Sequence, residues 1–392
     1  MKKKIYLSIN GIGYGHASRN LFLIKELLKR GYIVYISTYN EGYEYLKKYF
    51  KNVHFSKGFN LIFTDEGILS VKLTIAKQFF DSIIKLFLQI ISEIRNLIYI
   101  KPNYIIVDSR ISTAIAARLL KMKFVLILNQ FYVEIPRIKK MNKIIRFLKR
   151  MVERILYEFI FTMWIYASYL IIPDLEPPYT ICSYSIKLKE NKYLNKLKFI
   201  GNITNINQNT KIIKNNKKSN KIICTIILSG NLQERSIILK YLLKIIKKIE
   251  NENIYINILT GLDFINKTTI KTATIYGWVK DEKEKYNLIN EADILIVTGG
   301  HTTLIEAIQY EKPLLIILLK GHTEKINNSK KIKELELGEY IFINEINEIN
   351  FLNKMIEIYK NYKKYENKIK YIKQHLKNDL NFILDLVYYD SR

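Results

Sequence analysis

The chain repeats one local pattern, in which a short apolar run leads through a turn into a stretch of helical periodicity. The first example is Ile5–Ile9, a glycine-rich turn and then Arg19–Arg30, with Gly31 placed to end the helix. Apolar runs that alternate with helices are typical of parallel strands covered on both faces. The pattern therefore predicts an α/β fold built on doubly wound parallel sheets.

The same pattern predicts the other elements of the two halves of the chain. In the first half, strands are predicted over Tyr32–Thr38, Val53–Phe55, Tyr104–Asp108, Phe124–Asn129 and Tyr169–Ile172, and helices over Ile75–Ile98, Ser112–Leu120 and Met141–Tyr166. In the second half, strands are predicted over Ile222–Leu228, Ile254–Leu259, Thr274–Tyr276, Ile294–Val297 and Leu314–Leu319, and helices up to Ile249, over Tyr286–Glu291, over Leu304–Tyr310 and in the tail from Asn347.

A polar segment rich in Asn and Lys, Ile203–Lys221, separates the two series of elements and has the composition of a linker. The 392 residues are enough for two domains. We therefore expect one domain over residues 1–201 and a second over 202–392, which ends in the helical tail. Ligands of such sheets bind at the carboxyl ends of the strands. We expect the site in a cleft between the two domains.

The formal net charge of +27, from 63 Lys and Arg against 36 Asp and Glu, at first suggests a nucleic-acid partner. However, the lysines are spread along the whole chain, and Lys, Ile, Asn and Tyr, whose codons are rich in A and T, are all abundant. We therefore predict no nucleic-acid binding, although such a charge attracts anionic lipids and phosphorylated substrates. Cys182 and Cys224 lack the spacing of metal ligands.

Two segments bear on localisation. The apolar run after Met1 is short and leads into a glycine-rich loop, so we predict no signal peptide. Ile155–Pro173 is nearly continuous in apolar residues, but it divides into the end of a helix and a short strand, which we favour over a membrane span. We expect a cytoplasmic protein.

The turn Gly11–Arg19 is the first candidate for chemistry. Its glycines let the backbone turn tightly beside a ligand, and a helix N-terminus follows that could bind an anion. His16 occupies the position where a dinucleotide-binding motif has its last glycine, so that function is weakly indicated. From the residues alone, His16 is equally well a helix residue bonded to backbone and a functional side chain.

Three further candidates follow apolar strands. Thr298–Glu306 combines a Gly-Gly turn with the T-x-x-E spacing of a capping box, Thr303 to Glu306, so it serves either as a helix cap or as a phosphate and ribose site. Asp108 ends a strand and could orient a histidine or cap a helix. Gly321–Asn328 follows the last strand of the second series.

Taken together, these segments resemble the GT-B glycosyltransferases, on the side of glycosyltransferase family 28, which includes MurG, and of the UDP-glucuronosyltransferases. The opening is closest to the archaeal and bacterial predicted glycosyltransferases of that group. Three segments carry the resemblance in order: a GxGHxxR opening at 13–19, a G-G-x-T-T-x-x-E motif at 299–306, and 324–329, where the group has E-Q-x-x-N-A. The group's S-G-P-x-x-Q-R pattern is matched more loosely by Ser229-Gly230-Asn231-Leu232-Gln233-Glu234-Arg235.

The resemblance implies two Rossmann-like domains facing across a cleft, the first binding the acceptor and the second the nucleotide-sugar donor. It also implies that His16 is the catalytic base and that Asp108 pairs with it. Lys325 stands where the group has Gln, and a cation there could favour an acidic donor sugar such as a uronate. The residues implied in donor binding are Gly13, Gly15, Ser229, Gly230, Trp278, Val279, Gly299, Gly300, His301, Thr302, Thr303, Glu306, Glu324, Lys325 and Asn328.

The resemblance predicts an inverting hexosyltransferase that uses a nucleotide sugar, with UDP as the expected nucleotide. Helix N-termini and glycine-rich amides can stabilise the leaving diphosphate, and the sequence has neither a DxD motif nor a cluster with metal-ligand spacing. We therefore expect no metal and no cofactor. Two alternatives remain open: a nucleotide-sugar hydrolase like those of nonulosonic acid synthesis, and a non-catalytic donor-binding or membrane-recruiting subunit.

The acceptor is indicated only by the segment Ile138–Arg154, which is basic and amphipathic. It serves equally well as a core helix with a solvated face or as a helix lying on anionic lipid. The second interpretation would suit a lipid-linked or glycolipid acceptor and peripheral contact with the inner face of the cell membrane.

Overall fold

A computed structural model describes residues 2–58, 71–136, 142–186, 191–203, 221–251 and 253–389. Its strands are β1 Lys4–Ile9, β2 Ile33–Thr38, β3 Val53–Phe55, β4 Tyr104–Asp108, β5 Val125–Ile127, β6 Leu170–Ile172, β7 Leu197–Phe199, β8 Ile222–Ile227, β9 Ile254–Leu259, β10 Thr268–Ile270, β11 Ala273–Tyr276, β12 Ile294–Val297, β13 Leu314–Leu318 and β14 Gly338–Phe342. Its α-helices are α1 Gly15–Lys29, α2 Asn40–Leu46, α3 Val71–Ile100, α4 Ile111–Leu119, α5 Lys143–Trp164, α6 Leu232–Ile246, α7 Glu282–Glu291, α8 His301–Gln309, α9 Thr323–Glu334, α10 Glu348–Lys360, α11 Tyr362–Lys373 and α12 Leu380–Tyr389.

The first sheet has the strand order β3-β2-β1-β4-β5-β6-β7, and every pair in it is parallel. The order reverses between β1 and β4, which lie side by side with Ile9 opposite Asp108. Loops at such a reversal diverge to opposite faces and leave a ligand crevice at the carboxyl edge. This register brings the turn after β1 and the end of β4 to the same point.

Both faces of this sheet are covered, as a doubly wound fold requires. One core layer joins alternate residues of β1 with Leu23 and Ile24 of α1. The layer on the other face joins the remaining strand residues with α3, α4 and α5, for example through Ala114 and Trp164. Burying each leucine or isoleucine side chain of these layers stabilises the fold by about 1.5–3 kcal/mol.

The second sheet has the strand order β10-β11-β9-β8-β12-β13-β14 and is parallel except for the antiparallel pair β10–β11. Here the order reverses between β8 and β12, and the loops after these two neighbouring strands begin side by side at the carboxyl edge. The loop after β13 lies next to them. Apart from Trp278 and Val279, which follow β11, the donor contacts predicted for this half of the chain lie at these three places.

The chain divides into two compact units. Among the described residues, the first unit contains those up to 203 and those from 377 to 389, and the second contains 221–376. The sequence-based division gave the whole tail to the second domain, whereas α12 contributes Ile383 and Val387 to the core layer that contains α1. An apolar helix can cover any sheet face within reach, and local sequence does not indicate which one.

Other differences from the sequence-based elements are local. Helix α1 begins at Gly15, four residues earlier than predicted, and α2, β7, β10, α9 and β14 were not predicted. The linker predicted over Ile203–Lys221 lies almost entirely outside the described residues. Among the helices that the structure describes, none combines the length and apolar character needed to cross a bilayer.

Candidate active site

His16 and Asp108 meet at the reversal point of the first sheet. Because α1 begins at Gly15, His16 lies in its first turn, and Asp108 is the last residue of the neighbouring strand β4. His16 Nδ1 lies 2.8 Å from Asp108 Oδ1. The imidazole is about one-fifth exposed, with 20% of the side chain accessible, whereas the carboxylate is fully buried.

The Asp108 carboxylate accepts hydrogen bonds on both oxygens. Arg19 Nε donates to Oδ2 over 2.7 Å, and Arg19 Nη2 donates to Oδ1. Asn20 Nδ2 donates to Oδ2 and, over 2.8 Å, to the backbone carbonyl of His16. Burial alone would raise the pKa of Asp108, but the charges and hydrogen bonds of Arg19 and His16 hold that pKa well below its usual value. The carboxylate is therefore ionised.

An ionised carboxylate only accepts hydrogen bonds, so the short contact to His16 requires a proton on Nδ1. Arg19 Nη2 also lies 2.9 Å from Nδ1. Both groups are then donors that converge on Asp108 Oδ1. Within the part of the chain that the structure describes, the hydrogen bonds of the ring are made at Nδ1, and a neutral ring with its proton on Nδ1 carries its lone pair on Nε2. This is the state in which an imidazole accepts a proton from a substrate.

Two alternatives from the sequence are resolved by this geometry. The imidazole of His16 bonds to a carboxylate and not to backbone. Asp108 does not cap α4, since the N-cap of that helix is Arg110, whose side chain makes no capping hydrogen bond.

The glycines of the first loop have structural roles in the packing and the backbone conformation of the protein. A Cβ at Gly11 would lie 1.9 Å from the carbonyl oxygen of Tyr39, so this glycine permits two backbone segments to approach closely. Gly13 adopts a left-handed φ of 67°. Gly15 starts α1 directly before His16.

In the second unit, the loops after β8 and β12 are joined by side chains. Ser229 Oγ lies 2.7 Å from Thr298 Oγ1, which also accepts from the Ser229 amide over 3.0 Å. A Cβ at Gly300 would lie 2.7 Å from Ser229 Oγ. The Gly299–Gly300 turn thus fits closely beside the Ser229–Gly230 loop.

Helix α8 starts directly after this turn. Its N-cap is Gly300 and its first residue is His301, so Thr303 lies inside the helix and the predicted capping box does not form. The N-terminus of a helix presents backbone amides and a partial positive charge, which suit a phosphate. Glu306 lies further along α8, and its Oε2 is 3.8 Å from Lys285 Nζ.

Helix α9 follows the third loop at this edge of the sheet, the one after β13. Asn328 Nδ2 donates to the Gly299 carbonyl over 3.4 Å, and Glu324 is partly exposed in the first turn. Lys325 is buried and its ammonium group pairs with Glu234 of α6 over 2.6 Å. Its charge is thus matched within the protein and does not support an acidic donor sugar.

Comparisons with known proteins agree with this architecture. Residues 3–156 match the model of glycosyl transferase family 1, and residues 227–381 match the glycosyltransferase family 28 C-terminal domain. An uncharacterized glycosyltransferase of Methanosarcina mazei is 26% identical over 349 residues, with 86% of this chain and 85% of the relative covered. One from Methanosarcina acetivorans is 25% identical, with the same shares covered.

Solved structures show the same fold. The calicheamicin glycosyltransferase CalG4 superposes with a TM-score of 0.64 at 12% identity, covering 100% of this chain and 98% of that one. MurG of Acinetobacter baumannii superposes with a TM-score of 0.60 at 14% identity, covering 98% and 99%. The chain is a GT-B glycosyltransferase. The first family match lies within the first unit, and the second covers the second unit from residue 227 and continues to residue 381.

The remaining predicted donor contacts of the glycosyltransferase are divided between the units. Gly13 and Gly15 belong to the first unit, in the same loop as His16, while every other candidate lies in the second. Trp278 and Val279 follow β11 and are both half-buried. Their predicted contact with the nucleobase stays a prediction.

Sequence reasoning missed three side chains of these clusters as functional groups: Arg19, Asn20 and Glu234. The first two could have been found, since they lie three and four residues after His16 and therefore on the same helix face. Glu234 could not, because its partner Lys325 is distant in sequence and joins it only through the order of the strands.

Proposed function

We propose that this glycosyltransferase is an inverting enzyme that uses a UDP-sugar, with His16 as its general base. The hydrogen bond between ionised Asp108 and His16 Nδ1, which leaves Nε2 able to accept a proton, carries the proposal. The acceptor oxygen attacks C1 of the sugar as its proton moves to Nε2. The bond from C1 to the diphosphate oxygen breaks, and the nucleoside diphosphate leaves with the electron pair from the opposite face.

The charge that develops on the leaving diphosphate needs stabilisation. The glycine turn at Gly299–Gly300 and the N-terminus of α8 supply preorganised amides at the carboxyl edge of the second sheet. We propose that these groups replace a metal ion in this role. Glu306 would then accept hydrogen bonds from the ribose hydroxyls, one turn along the helix.

A thermal-shift screen against UDP-, GDP- and dTDP-sugars tests the donor class, because a ligand that binds the folded state raises its melting temperature. We expect UDP-sugars to give the largest shift. No shift with any nucleotide sugar would refute a donor site in the second unit.

The same base could instead activate water, which would make the enzyme a hydrolase. The two reactions differ in their dependence on acceptor. For a transferase, we expect release of nucleoside diphosphate to rise when an acceptor is added. Release of free sugar at the same rate with and without acceptor would establish hydrolysis.

We also propose that helix α5 holds the enzyme on anionic lipid at the inner face of the membrane, close to a lipid-linked acceptor. Its amino-terminal half is exposed on nearly all sides, with Ile144 and Phe147 exposed by 65% and 62%. Lys143, Arg146 and Arg150 are exposed in the same segment. An apolar surface mixed with cations fits the interface of an anionic bilayer.

Helix α3, which packs in the same core layer as α5, also exposes the apolar side chains of Ile84 and Phe87. Flotation with phosphatidylglycerol vesicles tests the contact. We expect wild type to float and to be released by salt, and Phe147→Ser to float less. Phe264→Ser, which removes an equally exposed ring from the second unit, serves as the matched control. Flotation that is unaffected by salt or by Phe147→Ser would contradict the proposal.

A further inference from the structure

Two opposite charges are buried beside the proposed donor site. Glu234 lies in the first turn of α6 and Lys325 in the first turn of α9, and their side chains are only 2% and 7% exposed. Lys325 Nζ lies 2.6 Å from Glu234 Oε1. A buried ion pair by itself adds little to the stability of a fold, since the cost of desolvating both ions opposes their attraction. A role in the neighbouring loop is therefore worth testing.

Both members of the pair contact the Ser229–Gly230 loop, which links β8 to α6. Lys325 Nζ donates a second hydrogen bond to the carbonyl of Ser229, over 3.1 Å. A Cβ at Gly230 would lie 1.9 Å from Glu234 Oε2, so the carboxylate packs directly on this glycine, whose φ is +114°. The ion pair therefore contacts both residues of the loop, Lys325 at Ser229 and Glu234 at Gly230.

The backbone of Glu234 is held as well. Its amide donates over 2.8 Å to the side chain of Asn231, and Asn231 is the N-cap residue of α6. Ser229 Oγ in turn contacts Thr298, and it lies so close to Gly300 that there is no room there for a Cβ. Displacing the ion pair would thus disturb the fit between the Ser229–Gly230 loop and the glycine turn before α8.

The sequence offers a natural comparison for this pair. In the motifs of the family that the chain resembles, Gln stands at the positions of both Glu234 and Lys325. Here two neutral amides are replaced by a matched anion and cation. Exchanging only one of the pair leaves the other charge buried without its partner, which costs more than exchanging both.

We propose that Glu234 and Lys325 are positioning residues, which act on the donor by fixing the Ser229–Gly230 loop and not by touching the donor sugar. The proposal rests on the donor site proposed above. It also implies that the sugar is not selected by the charge of Lys325.

A double-mutant cycle tests this with UDP, which has the nucleoside and the diphosphate but no transferable sugar. The variants are Glu234→Gln, Lys325→Gln and both together, and the readouts are the dissociation constant for UDP by calorimetry and the melting temperature. We expect each single variant to bind UDP about tenfold more weakly, a change of about 1.4 kcal/mol. We expect the double variant to return close to wild type.

Lys373→Gln is the matched control, because it removes a lysine of α11 that pairs over 2.8 Å with Glu311, in the turn after α8 of the same unit. It should leave UDP affinity unchanged. UDP affinity that is unchanged in both single variants, whether or not their melting temperatures fall, would overturn the proposal. So would a double variant that keeps the loss of Lys325→Gln or that does not fold. Failure of wild type to bind UDP, GDP or dTDP would instead reject the donor site itself.

Discussion

Replacing Asp108 by Asn tests how the first unit prepares its base. The carboxylate accepts from four donor groups, two on each oxygen: Arg19 Nη2 and His16 Nδ1 on Oδ1, and Arg19 Nε and Asn20 Nδ2 on Oδ2. An amide offers one acceptor oxygen and one donor NH₂ group. Whichever way it turns, a donor then faces donors.

Arg19 can only donate hydrogen bonds, so we expect the amide oxygen to take the place of Oδ2, facing Arg19 Nε and Asn20 Nδ2. The NH₂ group then takes the place of Oδ1, facing His16 Nδ1 and Arg19 Nη2. Nδ1 must then accept, and the proton moves to Nε2, which can no longer act as a base. Loss of the charge-assisted bond costs about 1.5–3 kcal/mol, and the wrong tautomer adds to this. We expect turnover to fall about 10²–10⁴-fold, the range typical of losing a general base.

The assay is release of nucleoside diphosphate from the donor selected by the thermal-shift screen, together with the dissociation constant of that donor. The affinity should change little, because most of the proposed donor contacts lie in the second unit and Asp108 is not among them. Asp293→Asn is the control for removing a buried carboxylate, since Asp293 accepts from the Ile223 amide at the amino end of β12. Turnover of Asp108→Asn equal to that of the control would refute the reasoning.

Three further predictions follow from the same contacts. Folding lowers the pKa of Asp108, so the stabilisation by its carboxylate is complete above the unfolded-state pKa of about 3.9. That stabilisation is lost as the pH falls towards the lower folded-state pKa. The unfolding free energies of wild type and Asp108→Asn should therefore converge below about pH 4, and a difference that stays constant would contradict this. EDTA should leave nucleotide release unchanged, whereas a loss restored by Mg²⁺ or Mn²⁺ would show that a metal is needed. Gly299→Ala should lower the free energy of unfolding in urea by about 1–2 kcal/mol, since φ is +76°. It should also weaken nucleotide binding, because the added Cβ would crowd Lys325. Gly31→Ala, at φ +84° in open space, should lower only the free energy of unfolding, and equal nucleotide affinities in the two variants would contradict this prediction.

The strands were largely predictable from the sequence because buried parallel strands are short apolar runs between turns. The bounds of β3, β4, β9 and β12 are those predicted. The placement of α12 was not predictable, because a helix with one apolar face fits several surfaces and its choice of the first unit depends on the whole chain. The edge strand β14 was missed because Gly338–Phe342 lacks a long apolar run.

The candidate site shows the same division between local and distant information. His16 and Asp108 could be named because each follows an apolar strand, and parallel strands place their carboxyl ends at one edge. The state of the pair could not be predicted, since it depends on the Arg19 guanidinium reaching a buried carboxylate. The capping box was a wrong interpretation of Thr303 and Glu306, because α8 begins two residues before Thr303.

In the proposed reaction, His16 takes the proton of the acceptor hydroxyl during transfer from a nucleotide sugar. Its most direct test is His16→Ala, assayed for nucleoside diphosphate release with acceptor and for donor affinity. We expect turnover to fall about 10²–10⁴-fold, with the dissociation constant of the donor unchanged. Full turnover in this variant would contradict it.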